Sequence, residues 1–234
     1  KQTRLILVGG FLGAGKTTLL WETAVRLMNK GLRVGLITND QAPELVDSEL
    51  LKLSDLRVAE VSGSCFCCNF NGFTDAIKAI RTEASADVII AEPVGSCADL
   101  SATIMQPLKQ YWNAELKISP LTVLADPNRL VSILNGGNGG LHPDAAYIYK
   151  KQLEESDIIL LSKSDVLKRE ETAVLRQRLS DAFPGATVLS ASAQTGEGMD
   201  KWIEAVMSRQ DAGKRLLEID YDTYAHGEIG RAHV

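Results

Sequence analysis

Short apolar runs alternate with longer amphipathic stretches along most of the chain. Seven runs are rich in aliphatic and β-branched residues, which is typical of parallel strands buried on both faces of a sheet. These predicted strands cover residues 4–9, 33–38, 57–61, 87–94, 121–126, 157–162 and 186–190. Between them, apolar residues recur at helical spacing over residues 15–29, 44–53, 72–84, 97–110, 144–155, 168–182 and 198–208.

The repeated order of strand and helix predicts an α/β fold. We expect a mostly parallel, twisted sheet of about seven strands with helices on both faces. The pattern ends near residue 209, which predicts one domain over residues 1–209 and a C-terminal tail over 210–234. The tail is expected to form an edge strand or to begin a further, truncated module. Trp21, Trp112 and Trp202 lie in helical patterns and are predicted to pack.

Composition and charge exclude several classes of protein. The 234 residues are 45% hydrophobic and 24% charged, which is enough apolar material for a sizeable core. The net charge is −5 and no basic stripe is present, so nucleic acid is not an expected partner. No apolar run approaches the roughly 20 residues of a membrane span, so we expect no membrane partner and a cytoplasmic location.

The segment GGFLGAGKTT, residues 9–18, follows the first predicted strand and opens a helix. It contains G-x-x-x-x-G-K-T, in which glycines let backbone N–H groups surround phosphate oxygens. Lys16 is expected to reach the β- and γ-phosphates, and the Thr17 hydroxyl to bind Mg²⁺. The motif therefore predicts a P-loop NTPase. The predicted phosphate-binding residues are Gly10, Gly13, Ala14, Gly15, Lys16, Thr17, Thr18 and Gly95.

Two acidic residues follow predicted strands at the same edge of the sheet. Glu92 begins E-x-x-G, which brings a carboxylate to Mg²⁺ and the N–H of Gly95 to the γ-phosphate. Asp40 is a second Mg²⁺ ligand, or it caps the helix that begins near Pro43. With Lys16, these two carboxylates form the predicted catalytic set, and with Thr17 they form the predicted Mg²⁺ site.

The segment LLSKSD, residues 160–165, resembles the guanine-binding motif N-K-x-D. Asp165 can accept hydrogen bonds from the N–H groups of guanine, and the stem of Lys163 can lie over the base. Ser162 stands in place of asparagine, so we expect a guanine preference weakened by about tenfold. In SASAQTGEG, residues 190–198, Ser192 and Ala193 complete the predicted guanine site through a backbone N–H.

Three of the four cysteines lie in SGSCFCCNF, residues 62–70. Close-set cysteines in a reducing compartment are more often metal ligands or redox groups than disulfides, and thiolates suit Zn²⁺. Cys65, Cys67 and Cys68 are therefore the predicted transition-metal ligands. Candidates for a fourth ligand are Cys97, Glu44, Asp47 and the equivalent site of a second subunit. Cys97 is alternatively a small core residue. The histidines show no ligand spacing; they are His142, His226 and His233.

Taken together, these motifs resemble those of the CobW, HypB and UreG metal-insertion GTPases, over about residues 4–208. SGSCFCCNF is similar to the family motif G-C-x-C-C, TNDQAPELVD to a switch I segment that carries Asp40 and Asp47, and EPVG to the family's E-x-x-G. The resemblance implies a GTPase with slow intrinsic turnover that couples nucleotide state to delivery of a metal or metal cofactor. It implies the cofactors GTP, Mg²⁺ and Zn²⁺, with Co²⁺ or Ni²⁺ as alternative metals.

The same resemblance implies a client metalloenzyme or a corrinoid or other metal-cofactor protein as partner, and a nucleotide-dependent homodimer. Two other functions stay open. One is a P-loop kinase for a small molecule, which the base-binding loops disfavour. The other is a metal-sensing adaptor without significant turnover, in which nucleotide only orders the fold.

Overall fold

The computed structural model describes residues 1–39, 56–61, 65–208 and 212–213. Within them, strands join into one parallel sheet with the order β3-β2-β4-β1-β6-β7-β8, and β5 pairs with β1. The strands are β1 (Thr3–Gly10), β2 (Val34–Asn39), β3 (Arg57–Val61), β4 (Val88–Glu92), β5 (Leu116–Ile118), β6 (Thr122–Ala125), β7 (Ile158–Leu161) and β8 (Thr187–Ser190). The predicted parallel sheet of about seven strands is confirmed.

The eighth strand arises because one strand position is split in two. β5 pairs with the start of β1 and β6 pairs with its end. Pro120 lies between them, and a proline cannot donate a backbone hydrogen bond to a neighbouring strand. Ser119 donates its N–H to Leu5 across 2.8 Å before the chain breaks, so both halves stay on the same side of β1.

Helices cover both faces of the sheet, as predicted. They are α1 (Lys16–Asn29), α2 (Phe70–Glu83), α3 (Gln106–Tyr111), α4 (Pro127–Leu134), α5 (Pro143–Glu155), α6 (Arg169–Ala182) and α7 (Met199–Ser208). α1 and α7 pack on one face, where their apolar residues form one core cluster. α2, α5 and α6 contribute to a second cluster on the other face, together with the helical segment that ends in α3.

One helix prediction differs from the structure, one lies outside the described residues, and one helix was not predicted. The predicted helix over 97–110 begins only at residue 101, with a π-helical turn (Ser101–Met105) that leads into α3. Residues before it form a loop in which Asp99 has φ of 62°, a conformation that ends regular helix. α4 was not predicted because its eight residues give too short a periodic pattern. The predicted helix 44–53 lies outside the described residues.

Two of the three tryptophans are deeply buried and the third is half-buried. Trp202 is fully buried and its Nε1 donates to Thr122 Oγ1 across 3.0 Å, which satisfies its polar atom within the core. Trp21 packs on the same face, and Trp112 lies at the edge of the other core cluster. The prediction that all three pack is confirmed.

The start of the predicted tail touches the domain. Gly213 donates its N–H to Asp157 across 2.6 Å, and its carbonyl accepts from Gln106 across 2.8 Å. The remainder of 210–234 lies outside the described residues, so the proposed domain boundary stays a prediction. Among the helices of the described part of the chain, none is long and apolar enough to cross a bilayer.

Candidate functional site

The phosphate loop turns from β1 into α1 at the centre of the sheet. Gly10, Gly13 and Gly15 all have positive φ, at 132°, 79° and 91°, which only glycine adopts readily. A Cβ on Gly10 would lie 3.0 Å from backbone atoms of Leu124, so this position also demands the absence of a side chain. Ala14 is buried and Thr18 is exposed. The loop therefore has the backbone conformation that the motif predicts.

Lys16, Thr17 and Glu92 converge at the end of β4. Thr17 Oγ1 donates to Glu92 Oε2 across 3.0 Å, and Lys16 Nζ lies 3.8 Å from Glu92 Oε1. Lys16 Nζ also donates to the carbonyl of Phe11 across 3.2 Å. Burial raises the pKa of the Glu92 carboxyl, while the charge of Lys16 and the hydrogen bond from Thr17 oppose that rise. A hydroxyl and a carboxylate are thus held together, and these oxygen donors suit Mg²⁺.

Gly95 lies directly against the phosphate loop. A Cβ there would meet the backbone nitrogen of Leu12 at 3.0 Å and Lys16 Nζ at 3.2 Å. The backbone of the E-x-x-G loop therefore packs closely against the phosphate loop, beside the predicted γ-phosphate position. Beside it, the side chains of Leu12 and Val94 are exposed.

Lys163 bridges the two halves of the predicted nucleotide site. Its Nζ donates to the carbonyl of Gly13 across 2.7 Å and to Asp126 Oδ2 across 2.6 Å. Asp126 also accepts from the N–H of Asn128 and so caps α4. Sequence reasoning did not single out Asp126. Its position directly after β6, at the same edge as the other site residues, is the feature that could have identified it.

The predicted base site lies beside α6, between the ends of β7 and β8. Asp165, Thr195 and Gly196 line a cavity of about 920 Å³ there. Ser192 is buried and its Oγ accepts from the N–H of Thr195 across 3.1 Å, which shapes the loop after β8. Ser162 donates its Oγ hydrogen to the carbonyl of Ala125 across 3.3 Å. Ala193, the proposed source of the guanine-binding N–H, is half-buried.

The three clustered cysteines lie in the turn between β3 and α2. The sulfurs of Cys65, Cys67 and Cys68 lie within 4.8 Å of one another. Cys65 and Cys67 are 2.7 Å apart, and Cys67 and Cys68 are 4.0 Å apart. The N–H groups of Cys68 and Asn69 both donate to the carbonyl of Cys65, and this turn gathers the thiols. The stacked rings of Phe66 and Phe73 anchor the turn to α2.

Cys97 approaches this cluster from the neighbouring loop. It belongs to the buried core cluster against which Cys65 and Cys67 pack, and its side chain is only 1% exposed, but the group of sulfurs within 4.8 Å of one another holds only Cys65, Cys67 and Cys68. Hydrogen bonds from Cys67 and then Cys97 lower the pKa of the Cys65 thiol, and the same interactions raise the pKa of both partners.

The donor set fits a soft divalent metal. A tetrahedral zinc site with Zn–S bonds of about 2.3 Å sets neighbouring sulfurs about 3.8 Å apart. The 4.0 Å separation of Cys67 and Cys68 matches this value, whereas Cys65 and Cys67 would have to move apart to bind one metal together. Exposure decreases from Cys68, which is exposed, to Cys97, which is buried, so the cluster opens to solvent on one side.

Several predicted site residues fall elsewhere. Asp40, Glu44 and Asp47 lie outside the described residues, and so do His226 and His233. His142 is exposed and its Nδ1 accepts from the N–H of Asp144 at 3.5 Å, which caps α5. The structure thus brings together the phosphate loop, the E-x-x-G loop and all four cysteines at one edge of the sheet.

A phosphate loop on the central strand of a parallel sheet, with a cavity near the ends of β7 and β8 and a thiol cluster after β3, defines a P-loop NTPase fold. The chain belongs to the family described as CobW/HypB/UreG, nucleotide-binding domain, whose model matches residues 4–190. The resemblance found in the motifs is therefore confirmed.

Named relatives agree with this assignment. The chain is 26% identical over 225 residues to the zinc chaperone CobW of Pseudomonas aeruginosa, covering 82% of this chain and 56% of that protein. It is 25% identical over 225 residues to the zinc-regulated GTPase metalloprotein activator 1 of Schizosaccharomyces pombe, covering 92% and 48%. The Zn(II)-bound YjiA GTPase from E. coli shares the fold, with a TM-score of 0.57, 18% identity and coverage of 97% and 69%.

The chain spans about half the length of the curated relatives it matches. The activities and partners of the whole relatives belong to longer chains.

Proposed function

We propose that this chain binds and hydrolyses GTP and couples its nucleotide state to the delivery of a metal, Zn²⁺ foremost, to a client protein. One observation carries the proposal: a single short loop contacts both candidate sites. Gly95 lies against the phosphate loop, and Cys97, two residues later, belongs to the core cluster against which Cys65 and Cys67 pack. The names of the relatives, which are zinc chaperones and a zinc-regulated GTPase, support the same class of function.

The nucleotide chemistry follows from the residues around Glu92. Lys16 is expected to neutralise the β- and γ-phosphates, which releases it from the carbonyl of Phe11. Thr17 and Glu92, with Asp40, are the proposed Mg²⁺ ligands. Bound Mg²⁺ would stabilise the charge that develops on the phosphate oxygens. Glu92 is further proposed to orient the attacking water, and intrinsic hydrolysis is expected to be slow.

Guanine selectivity is proposed to reside in Asp165, with Lys163 and the loop that carries Ser192 and Ala193. Lys163 already bridges the carbonyl of Gly13 and Asp126 Oδ2, and its stem is proposed to lie over the base. The side chain of Ser162 is engaged with a backbone carbonyl, which agrees with a weaker contribution to base binding. GTP is therefore the proposed nucleotide.

The proposed cargo site consists of Cys65, Cys67 and Cys68, with Cys97 as the fourth thiolate. Metal binding would release the protons that the thiols now share, because the metal-bound form is the thiolate. Zn²⁺ is the preferred metal by donor softness, with Co²⁺ and Ni²⁺ as alternatives. A client metalloenzyme or a corrinoid or metal-cofactor protein, a nucleotide-dependent homodimer and a cytoplasmic location remain proposals.

The test is to measure Zn²⁺ affinity by chelator competition with GDP and with a non-hydrolysable GTP analogue. Thermodynamic linkage requires that nucleotide and metal alter each other's affinity by the same factor. We expect a difference of at least about fivefold between the two nucleotide states. Equal affinities would reject the coupling, and absence of phosphate release under every metal condition would reject the hydrolase.

A further inference from the structure

Helix α5 presents three buried side chains at intervals of three residues: Tyr149, Gln152 and Glu155. Residues spaced in this way lie along one side of a helix. The exposed fractions of their side chains are only 1%, 2% and 0%. The sequence pattern predicts this helix but no role for these three residues, because none of them belongs to a recognisable motif.

Gln152 holds the loop that links the two candidate sites. Its Nε2 donates to the carbonyl of Gly95 across 3.0 Å and to the carbonyl of Cys97 across 2.9 Å. Its Oε1 has no hydrogen-bond partner among the described residues. Both N–H groups of the amide are therefore committed to the loop, one on each side of Ser96.

The neighbours of Gln152 fix the helix against the surroundings of that loop. The ring of Tyr149 meets the ring of Phe11 in the phosphate loop edge to face, with centroids 5.9 Å apart. The carboxylate of Glu155 accepts from the N–H of Ser101 across 3.2 Å, where the loop ends. Contacts on both sides thus set the position of Gln152 relative to the loop.

We propose that Gln152 is a positioning residue that transmits nucleotide state from Gly95 to Cys97. A bound phosphate could displace the backbone at Gly95. Without Gln152, this movement would stay local, because a glycine can change its backbone angles at little cost. With both carbonyls bound to one amide, the segment from Gly95 to Cys97 moves as a unit. Cys97 then shifts against Cys65 and Cys67, and the metal affinity changes. This inference rests on the proposed function, for which it specifies the route.

The experiment compares the wild-type chain with Gln152→Met, which keeps the length of the side chain and removes both donors. Ser156→Ala is the matched control, because Ser156 is also buried and directly follows α5, but its Oγ donates to the carbonyl of Leu153 at the end of that helix, across 2.8 Å. The Zn²⁺ dissociation constant is measured for each protein with GDP and with the GTP analogue. We expect the ratio of the two constants to persist in Ser156→Ala and to fall to within about twofold of one in Gln152→Met.

A Gln152→Met protein that is folded and keeps the wild-type ratio would overturn the role of Gln152. A purely structural role would weaken both constants and leave their ratio unchanged, and this result would also overturn it. A ratio of one in the wild-type chain would instead reject the proposed coupling itself. In that case hydrogen exchange over residues 93–100 still tests whether Gln152 holds the loop. Exchange that is unchanged in Gln152→Met would contradict this role. If Gln152→Met unfolds, Gln152→Glu keeps the shape, breaks the donor pair and is judged by the same outcomes.

Discussion

The hydroxyl of Thr17 donates to Oε2 of Glu92 across 3.0 Å and joins the first turn of α1 to the end of β4. Each of these groups is a hydrogen-bond partner of the other. Arrival of Mg²⁺ with a nucleotide would replace their hydrogen bond by two oxygen ligands. The two side chains in this contact are therefore the first to test for a role in the nucleotide chemistry.

Glu92→Gln should preserve the shape of the site and remove its charge. We expect GTP hydrolysis to fall by roughly 10²–10³-fold, since charge positioned in an enclosed site typically contributes that much. Nucleotide affinity without Mg²⁺ should change little, because Lys16 and the phosphate loop remain. Phosphate release across a Mg²⁺ titration measures the first effect. The control is Glu154→Gln, which alters a carboxylate that pairs with Lys151 on α5. Turnover of Glu92→Gln within about threefold of wild type would contradict a catalytic role for Glu92.

Gly95→Ala should impair the binding of nucleoside triphosphate more than that of diphosphate. The added Cβ would press on Leu12 and Lys16, beside the predicted γ-phosphate position. We expect the affinity for a GTP analogue to fall at least tenfold while GDP affinity changes by less than about threefold. Titration with fluorescent nucleotides measures both constants, and equal losses for the two nucleotides would show that Gly95 does not face the γ-phosphate.

Asp165→Asn should weaken the preference for GTP over ATP. A charge-assisted hydrogen bond contributes about 1.5–3 kcal/mol, so the GTP affinity should fall roughly tenfold to a hundredfold. Competition between GTP and ATP for the bound fluorescent nucleotide gives the ratio. The control is Asp181→Asn, which changes an exposed aspartate of α6 that accepts a hydrogen bond from Gln177. It should leave the ratio unaltered. An unchanged ratio in Asp165→Asn would remove this cavity as the base site.

Cys97→Ser should lower Zn²⁺ affinity as strongly as Cys67→Ser if the metal binds four thiolates. Cys97 is buried in the core cluster against which Cys65 and Cys67 pack, so its thiol is near enough to be tested as a fourth ligand. Chelator competition gives the affinities, and the sulfur-to-metal absorption of the Co²⁺ form reports the number of thiolates. An unaltered Co²⁺ spectrum in Cys97→Ser would limit the site to the three clustered cysteines.

Glu155 should make stability depend on pH. Burial raises the pKa of its carboxyl to about 8, with the N–H of Ser101 opposing and the nearby Asp99 adding to the rise. Between an unfolded value near 4.5 and this value, the folded chain holds a proton that the unfolded chain has lost. The free energy of unfolding should therefore decrease as pH rises through this window, by up to about 1.4 kcal/mol per pH unit.

Glu155→Gln should remove this decrease, because a neutral amide replaces the titrating carboxyl. Urea unfolding of both proteins at pH 5, 6.5 and 8 checks the prediction, with the largest gain for the variant at pH 8. If the free energy of unfolding changes with pH in the same way for both proteins, the raised pKa of Glu155 is contradicted.

Much of the site was predictable because its motifs are local. The phosphate loop, E-x-x-G and SGSCFCCNF are contiguous segments, and each follows a predicted strand. Asp126, by contrast, lies in no motif, and only its ion pair with Lys163 reveals it. The strand predicted over 121–126 is β6, whereas β5 on the other side of Pro120 was not predicted and is recognised only from its pairing with β1.

The sequence by itself determined the parallel α/β architecture and the three motif loops, since periodicity and backbone chemistry act over a few neighbouring residues. Tertiary structure alone decided how the loops meet. The strand order β3-β2-β4 brings the turn after β3 to the loop after β4, and so brings Cys65 and Cys67 to Cys97. Packing of α5 under that loop then places Gln152 between Gly95 and Cys97, because burial forces its amide to find partners in the backbone above it.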